Sequence, residues 1–331
     1  MQVKDIGEQG LLRILQKFCP AEIVGDDCAV MPTTPNQSLA ITTDMLVDGV
    51  HFSDRTTGPY YAGWRAAAAN LSDLAAMGAK PLAVTVALAV AADTAVEWVE
   101  EFYRGMTACL QEYDTPIVGG DVVRSPVVTV AITAFGEVEC DRTISRSNAR
   151  SGWAIVATGV HGASRAGLEL LLNPEFGQNL SEVDRASLIL AHQRPKPRLD
   201  VLPVVWEILD SAGEFSIAGM DSSDGLADAI IQICRASGVG AKVDRTKIPI
   251  PNIFSEILST EKALDWALYG GEDFELVLFL PIANAELLVE KIGNGAAIVG
   301  IATDSTDIWL TDSSGIYPDA ILKLDRGFQH F

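Results

Sequence analysis

Five short clusters in this chain set carboxylates beside hydroxyls, amides or glycines. They are Gly25-Asp26-Asp27, Thr42-Thr43-Asp44, Asn70-Leu71-Ser72-Asp73, Gly119-Gly120-Asp121 and Asp221-Ser222-Ser223-Asp224. Hard oxygen ligands of this kind suit Mg²⁺, which usually works beside phosphate groups. Several carboxylates converging without cations would repel one another and raise each other's pKa. Two or more Mg²⁺ ions would neutralise them and hold a polyphosphate. That chemistry is phosphoryl transfer by positioning and charge neutralisation. Each cluster also has a plainer reading, because Thr, Ser and Asp are ordinary turn formers and helix caps. At Asp221 and Asp224 pure capping would use only one carboxylate.

The motif search narrows the chemistry. No G-x-x-x-x-G-K-[S/T] loop and no dinucleotide fingerprint occurs. No serine nucleophile elbow is present. The histidines at 51, 161, 192 and 330 show no metal spacing. Arg142, Arg146 and Arg150, with Ser145 and Ser147, form a basic segment in an acidic chain. It reads either as a solvated linker or as a phosphate contact, for which the guanidinium fork is suited.

The elements that must position these clusters follow from periodicity and punctuation. A short amphipathic helix is expected from Gly7 to Phe18. An apolar strand over 39–43 is expected to end in Thr42, Thr43 and Asp44. The Ala-rich stretch Tyr60–Met77 predicts a helix stopped by Gly78 and Pro81, with Asn70 and Asp73 on one side of it. A carboxylate in so apolar a helix needs a metal, a hydrogen-bonding partner or exposure. Leu82–Val90 reads as a strand. Thr94–Tyr113 reads as a helix capped by Asp93 or Thr94. Pro116–Val118 reads as a short strand ending at Gly119-Gly120-Asp121, where paired glycines allow close approach to a ligand or simply a tight turn. Val127–Val138 is a long alternating strand.

In the second half, strands are expected at Trp153–Thr158, Phe215–Met220, Phe274–Leu280, Ala297–Ala302 and Ile308–Leu310. Helices are expected at Ala163–Leu172, Glu182–His192 and Asp200–Ser211. Asp221-Ser222-Ser223-Asp224-Gly225 should open a further helix reaching Ala236. The pattern defines an α/β chain of two domains, 1–150 and 151–331, divided within the polar stretch 139–152.

The bulk numbers exclude other classes. With 24 basic and 44 acidic residues the chain carries a net charge of −20. That argues against nucleic acid and anionic membrane surfaces as partners. No apolar run is long enough to cross a membrane, and the first residues lack signal-peptide character. Five cysteines without Cys-x-x-Cys spacing read as free thiols in a reducing cytoplasm. A compact calcium-type loop, which a non-catalytic metal-binding protein would need, is missing.

Taken together and in order, Gly25–Ala29, Thr42–Asp44 through Gly49–Phe52, Asn70–Gly78, Gly119–Asp121, Asp221–Leu226 and Gly270–Asp273 resemble the motifs of the thiamine-monophosphate kinase family. The resemblance implies ATP- and Mg²⁺-dependent conversion of thiamine monophosphate to thiamine diphosphate. It implies a fold like aminoimidazole ribonucleotide synthetase. In that fold the N-terminal mixed sheet joins that of a second subunit in a barrel-like homodimer core, and a C-terminal α/β domain covers the site. Carried over by motif, Asp27, Thr42, Thr43, Asp44, Asp73, Asp121, Asp221 and Asp224 would hold the metals. Tyr103, Gly120, Asp121, Arg146 and Ser223 would touch ATP. His51, Glu272 and Phe328 would line the thiamine site, although Gln329 stands where the family's tail usually has an acidic residue. Asp44, Asp121 and Arg146 would carry the transfer itself. The acceptor phosphate is already anionic, so His51 would position substrate and abstract no proton. Of the related enzymes, selenophosphate synthetase would need a reactive Cys near the start and the hydrogenase-maturation relative a C-terminal Cys, and both are missing. Aminoimidazole ribonucleotide synthetase is the remaining enzyme alternative.

Overall fold

The computed structural model describes residues 1–20, 33–213, 215–293 and 295–323. They form two compact units. The first comprises Met1–Leu74 and Ala79–Cys140, and the second Ala75–Gly78 with the chain from Asp141 onward.

The first unit runs α1 (Val3–Leu15), β1 (Gln37–Val47), α2 (Pro59–Ala76), β2 (Lys80–Val90), α3 (Val96–Gln111), β3 (Ile117–Arg124) and β4 (Thr129–Glu139). Its strands make a four-stranded mixed sheet in the order β1-β4-β2-β3. β1–β4 and β4–β2 are antiparallel, and β2–β3 is parallel. Strict alternation sorts the side chains by face. Val84, Val86, Leu88, Val130, Ile132 and Ala134 are buried on one side. Leu39, Ile41 and Met45 of β1, with Val123 of β3, are exposed on the other.

Two strands pass through the residues expected to end them. β1 continues three residues beyond Asp44, paired with β4 from Gln37↔Glu139 to Val47↔Thr129. β3 likewise continues through Gly119, Gly120 and Asp121 to Arg124. Turn-forming residues signal only local preference, and ladder pairing along the whole of β4 overrides it. The glycine at 120 has a local reason. A Cβ there would sit 2.1 Å from the Val86 carbonyl oxygen of the neighbouring strand. The expected Asp93 or Thr94 cap of α3 is also absent. Its N-cap is Ala95 without a side-chain bond, and the Val96 N–H donates instead to the Met1 carbonyl at 3.2 Å. The first helix starts earlier than expected and ends in a 3₁₀ turn, Gln16–Phe18.

The second unit contains β5 (Ala154–Ala157), α4 (Ala163–Leu172), α5 (Glu182–Gln193), α6 (Leu202–Ala212), β6 (Ala218–Asp221), α7 (Leu226–Ser237), β7 (Gly240–Asp244), α8 (Phe254–Ile257) and α9 (Thr260–Tyr269). It continues with β8 (Leu276–Leu280), α10 (Ile282–Ile292), β9 (Ala297–Thr303), β10 (Ile308–Thr311) and β11 (Ala320–Ile321). Sequence reading did not foresee β7, α8, α9, α10 or β11. The sheet order is β11-β10-β7-β9-β5-β8-β6. Its central strands are buried on both faces, as apolar runs without alternation require. Ile155, Ala157, Val277 and Phe279 pack with Ile230 and Cys234 of α7. Val156, Leu276 and Leu278 pack with Val205 and Leu209 of α6 and Leu288 of α10. The whole is a mixed α/β fold with two sheets.

Candidate functional site

In the first unit, Thr42 and Asp44 point to the face of the sheet that α2 covers. The Thr42 hydroxyl donates to Asp73. The Asp44 backbone N–H donates to the Asn70 side-chain oxygen at 3.2 Å, and the Asn70 amide donates to the Ala66 carbonyl at 3.0 Å. Those two bonds fix the orientation of a fully buried amide. The structure therefore brings Thr42, Asp44, Asn70 and Asp73 together. Asn70, absent from the candidate set, belongs to this group, and its spacing from Asp73 signalled it.

Thr43 faces the other way, and its hydroxyl donates to the Ile132 carbonyl at 2.9 Å. Asp121 shares that opposite face. It pairs with Ala87, which pairs with Ala131, which pairs with Met45. β1 and β3 are the two edges of the sheet, so Asp44 and Asp121 stand three strand spacings apart, roughly 14 Å. His51 follows β1, and its Nδ1 accepts the Val47 N–H at 3.1 Å. A backbone N–H can only donate, so the neutral ring carries its proton on Nε2. Tyr103 is only 4% exposed, in an aromatic cluster with Phe18 and Phe102. Burial raises its hydroxyl pKa.

In the second unit three turns meet at one end of the sheet. Registers Ala157↔Val277 and Asp221↔Leu276 place the ends of β5 and β6 on either side of the start of β8. The Ser222 N–H donates to the Glu275 carbonyl at 2.8 Å, and the Glu272 N–H to the Ser223 carbonyl at 2.7 Å. Ser223 Oγ donates to Asp221 at 3.1 Å. The N-cap of α7 is Gly225, at φ +107° and without a side-chain bond. Glu272 and Phe274 both adopt left-handed backbone, at φ +69° and +52°. That conformation is costly for residues with a Cβ and persists only where surroundings enforce it.

Beneath these turns lies a buried polar network that sequence reading missed. Asp273 accepts the N–H groups of Gly162 and Ser164 at 2.6 and 2.9 Å, capping α4 from a distant segment. Burial pushes its carboxyl up to about 7 against those two bonds. Glu275 accepts the Thr158 hydroxyl at 2.6 Å and pairs with Arg198. His161 is fully buried, and burial lowers its pKa to about 4.

Arg146 sits in the short turn Arg146–Asn148, whose Arg146 carbonyl accepts the Ser237 hydroxyl at 2.7 Å. Its charge acts on Asp228 of α7. Burial and Asp224 raise that carboxyl, while Gln232, Arg146 and Arg235 oppose them. Asp228 thus joins Asp224 and Arg146, a grouping its one-turn spacing from Asp224 could have signalled. Asp27 and Phe328 lie outside the described residues.

The donor set fits a hard cation in type. It is carboxylates, hydroxyls and an amide, with no soft ligand. Among the described residues no three carboxylate, imidazole or thiol groups gather closely enough to enclose one. The candidate acidic ligands are distributed instead, Asp44 and Asp73 in one unit and Asp221 and Asp224 in the other.

One unit thus carries acidic residues on a four-stranded sheet, and the other carries them in the turns at one end of its sheet. Residues 25–138 match the model of the AIR synthase related protein N-terminal domain. The thiamine-monophosphate kinase of Synechococcus elongatus is 49% identical over 329 residues, covering 99% of this chain and 98% of that protein. A solved thiamine-monophosphate kinase from Stenotrophomonas maltophilia K279a superposes with a TM-score of 0.76 at 32% identity, over 86% of this chain and 88% of that one. The solved complex of AaThiL with AMPPCP and TMP gives 0.72 at 29% identity, over 97% and 98%. This chain belongs to the thiamine-monophosphate kinase family.

Proposed function

We propose that this protein transfers the γ-phosphoryl group of ATP to thiamine monophosphate, releasing ADP and thiamine diphosphate in the cytoplasm. The observation that carries this reading is the near-full-length identity to the Synechococcus elongatus kinase. Support also comes from two pairs among the motif residues, since the Thr42 hydroxyl donates to Asp73 and the Asp44 N–H to Asn70.

In the reaction, an oxygen of the acceptor phosphate forms a bond to the γ-phosphorus as the bond to the β,γ-bridging oxygen breaks. That oxygen is already anionic, so no proton has to be removed from it. The obstacle is repulsion between two anions. Mg²⁺ held by Thr42, Thr43, Asp44, Asp73, Asp121, Asp221 and Asp224, with Asp27, would supply the neutralising charge. Arg146, Ser223, Gly120 and Tyr103 are assigned to the nucleotide. Glu272, Phe328 and His51 are assigned to the acceptor. His51 suits positioning and not proton abstraction, because Nδ1 is already an acceptor and Nε2 carries the proton. Direct in-line transfer without a phosphoenzyme follows.

The working form is a homodimer. Leu39, Ile41, Met45 and Val123 share one exposed face, and among the described residues β1 is an edge strand of its sheet. Covering such side chains stabilises an assembly by roughly 1.5–3 kcal/mol each at full burial. Residues 1–150 supply this face and ligands for nucleotide and metal, and residues 151–331 supply the remaining ligands. No described helix is long and apolar enough to cross a membrane.

The test is an assay with ATP, Mg²⁺ and thiamine monophosphate, run beside Asp44→Asn and Asp121→Asn. Stoichiometric ADP and thiamine diphosphate, lost in both variants, is the expected result. ADP without thiamine diphosphate would redirect the reading to another acceptor, and no ATP turnover would end it.

A further inference from the structure

His161 makes two ring bonds inside the second unit. Nδ1 lies 3.0 Å from the Gly159 carbonyl oxygen, and Nε2 lies 3.0 Å from Ser222 Oγ. A carbonyl only accepts, so Nδ1 carries the proton and Nε2 is bare. The Ser222 hydroxyl therefore donates to Nε2. Both residues are fully buried, so neither can touch a ligand directly.

Ser222 is held from two sides. Its N–H is bound to the Glu275 carbonyl and its hydroxyl to His161. The support is itself anchored. The His161 N–H donates to the Pro249 carbonyl at 2.9 Å. The Thr158 hydroxyl donates to Glu275 at 2.6 Å and accepts the Leu276 N–H at 2.8 Å. Arg198 donates to the Thr158 carbonyl at 2.9 Å. If the Asp221–Asp224 turn moved, a bare ring nitrogen would be left buried without its partner, which folded proteins avoid. The observed turn satisfies this network, and the network in turn holds Asp221 and Asp224 where they stand.

We propose that His161 is a positioning residue for the nucleotide half of the reaction. Through Ser222 it orients Asp221, Ser223 and Asp224 toward metal-bound nucleotide. The inference rests on the kinase reading above and assigns His161 and Ser222 roles that no motif indicated. Groups that support metal ligands from behind typically change metal affinity 10–100-fold when removed.

The test measures binding of AMPPCP with Mg²⁺ to the free protein by calorimetry, beside thermal unfolding. His161→Asn keeps a donor near Gly159 but cannot reach Ser222. Ser222→Ala removes the hydroxyl. Each is expected to weaken Mg²⁺-AMPPCP binding about tenfold. The double variant should weaken it no further, because the pair acts as a unit. His161→Gln, whose longer side chain brings an acceptor toward Ser222, should restore binding to within about threefold. Ring ¹⁵N spectra should show a protonated Nδ1 and a bare Nε2. Unchanged binding in His161→Asn with only a lower melting temperature would make the residue merely structural and overturn the proposal, as would additive effects or the opposite tautomer. A wild type that binds no Mg²⁺-AMPPCP would instead overturn the kinase reading, and this inference with it.

Discussion

The backbone N–H of Glu272 donates to the carbonyl of Ser223 at 2.7 Å. One bond thus ties the turn assigned to the acceptor to the turn assigned to the nucleotide. Gly271 makes this closeness possible, since a Cβ there would lie 2.5 Å from the same Ser223 oxygen. Ordering either turn orders the other, so the two ligands should bind with positive and reciprocal coupling. Gly271→Ala should push the turns apart and reduce a coupling of about 5–150-fold toward one. Calorimetric titration of AMPPCP with and without thiamine monophosphate reads it directly. Equal coupling in wild type and Gly271→Ala would show that the turns are independent.

His161 and Asp273 should give stability opposite dependences on pH. Burial lowers His161 from 6.5 to about 4. The folded state then binds fewer protons than the unfolded chain between these values. Its contribution is complete above 6.5 and lost as pH falls toward 4. Burial raises Asp273 from 3.8 to about 7. Here the folded state holds the extra proton. Stability is greatest below 3.8 and declines as pH rises to 7. Each group contributes a slope of about 1.4 kcal/mol per pH unit, of opposite sign, so the two largely cancel between 4 and 6.5. His161→Gln should leave a protein whose stability falls with rising pH across that window relative to wild type. Asp273→Asn should leave one whose stability rises. Urea midpoints at half-unit steps of pH would show parallel curves for all three proteins if the cancellation is wrong.

Glycine is ordinarily a poor helix residue, about 1 kcal/mol worse than alanine. At two positions packing reverses that preference. A Cβ on Gly63 of α2 would lie 1.9 Å from the Phe102 carbonyl oxygen, and one on Gly105 of α3 would lie 1.7 Å from that of Tyr60. The helices cross backbone against backbone there. Gly63→Ala or Gly105→Ala should each destabilise the protein by about 2–3 kcal/mol, overpacking outweighing propensity. The double variant should cost less than the sum, because separating the helices once relieves both contacts. Stabilisation by either single change in urea unfolding would refute the close crossing.

What was legible in the chain depended on how local its cause was. The helix Ala163–Leu172 was read to the residue, because its apolar spacing lies within ten positions. Its cap was not, because Asp273 reaches Ser164 from 109 residues away. The strand at Leu39–Thr43 was legible, but its end was misplaced, because pairing with β4 carries it on to Val47. The acidic motifs were recognisable individually. Their distribution over faces and edges was not, since it depends on sheet register. The pairing of His161 with Ser222 was invisible for the same reason. Neither imidazole nor hydroxyl signals a partner 61 residues distant.

Register also makes the last prediction. Asp44 and Asp121 lie on opposite faces and opposite edges of one chain's sheet, so one copy cannot bring both to the same cation. A closed two-fold barrel of two such sheets would set β1 of one copy beside β3 of the other, so that a polyphosphate and its cations reaching across that seam would take Asp44 from one copy and Asp121 from the other. Asp44→Asn and Asp121→Asn homodimers should each be inactive. Mixed and reassembled, they should form heterodimers in which one site has lost both carboxylates and the other has kept both. At equal amounts about half the dimers are mixed and each regains one of two sites, so activity should return to about a quarter of wild type. The check is the rate of thiamine diphosphate formation before and after subunit exchange, with exchange verified by tagged copies. Confirmed exchange without recovered activity would mean that each copy holds a complete set of ligands, and the edge-to-edge dimer would have to be abandoned as the reason Asp121 is needed.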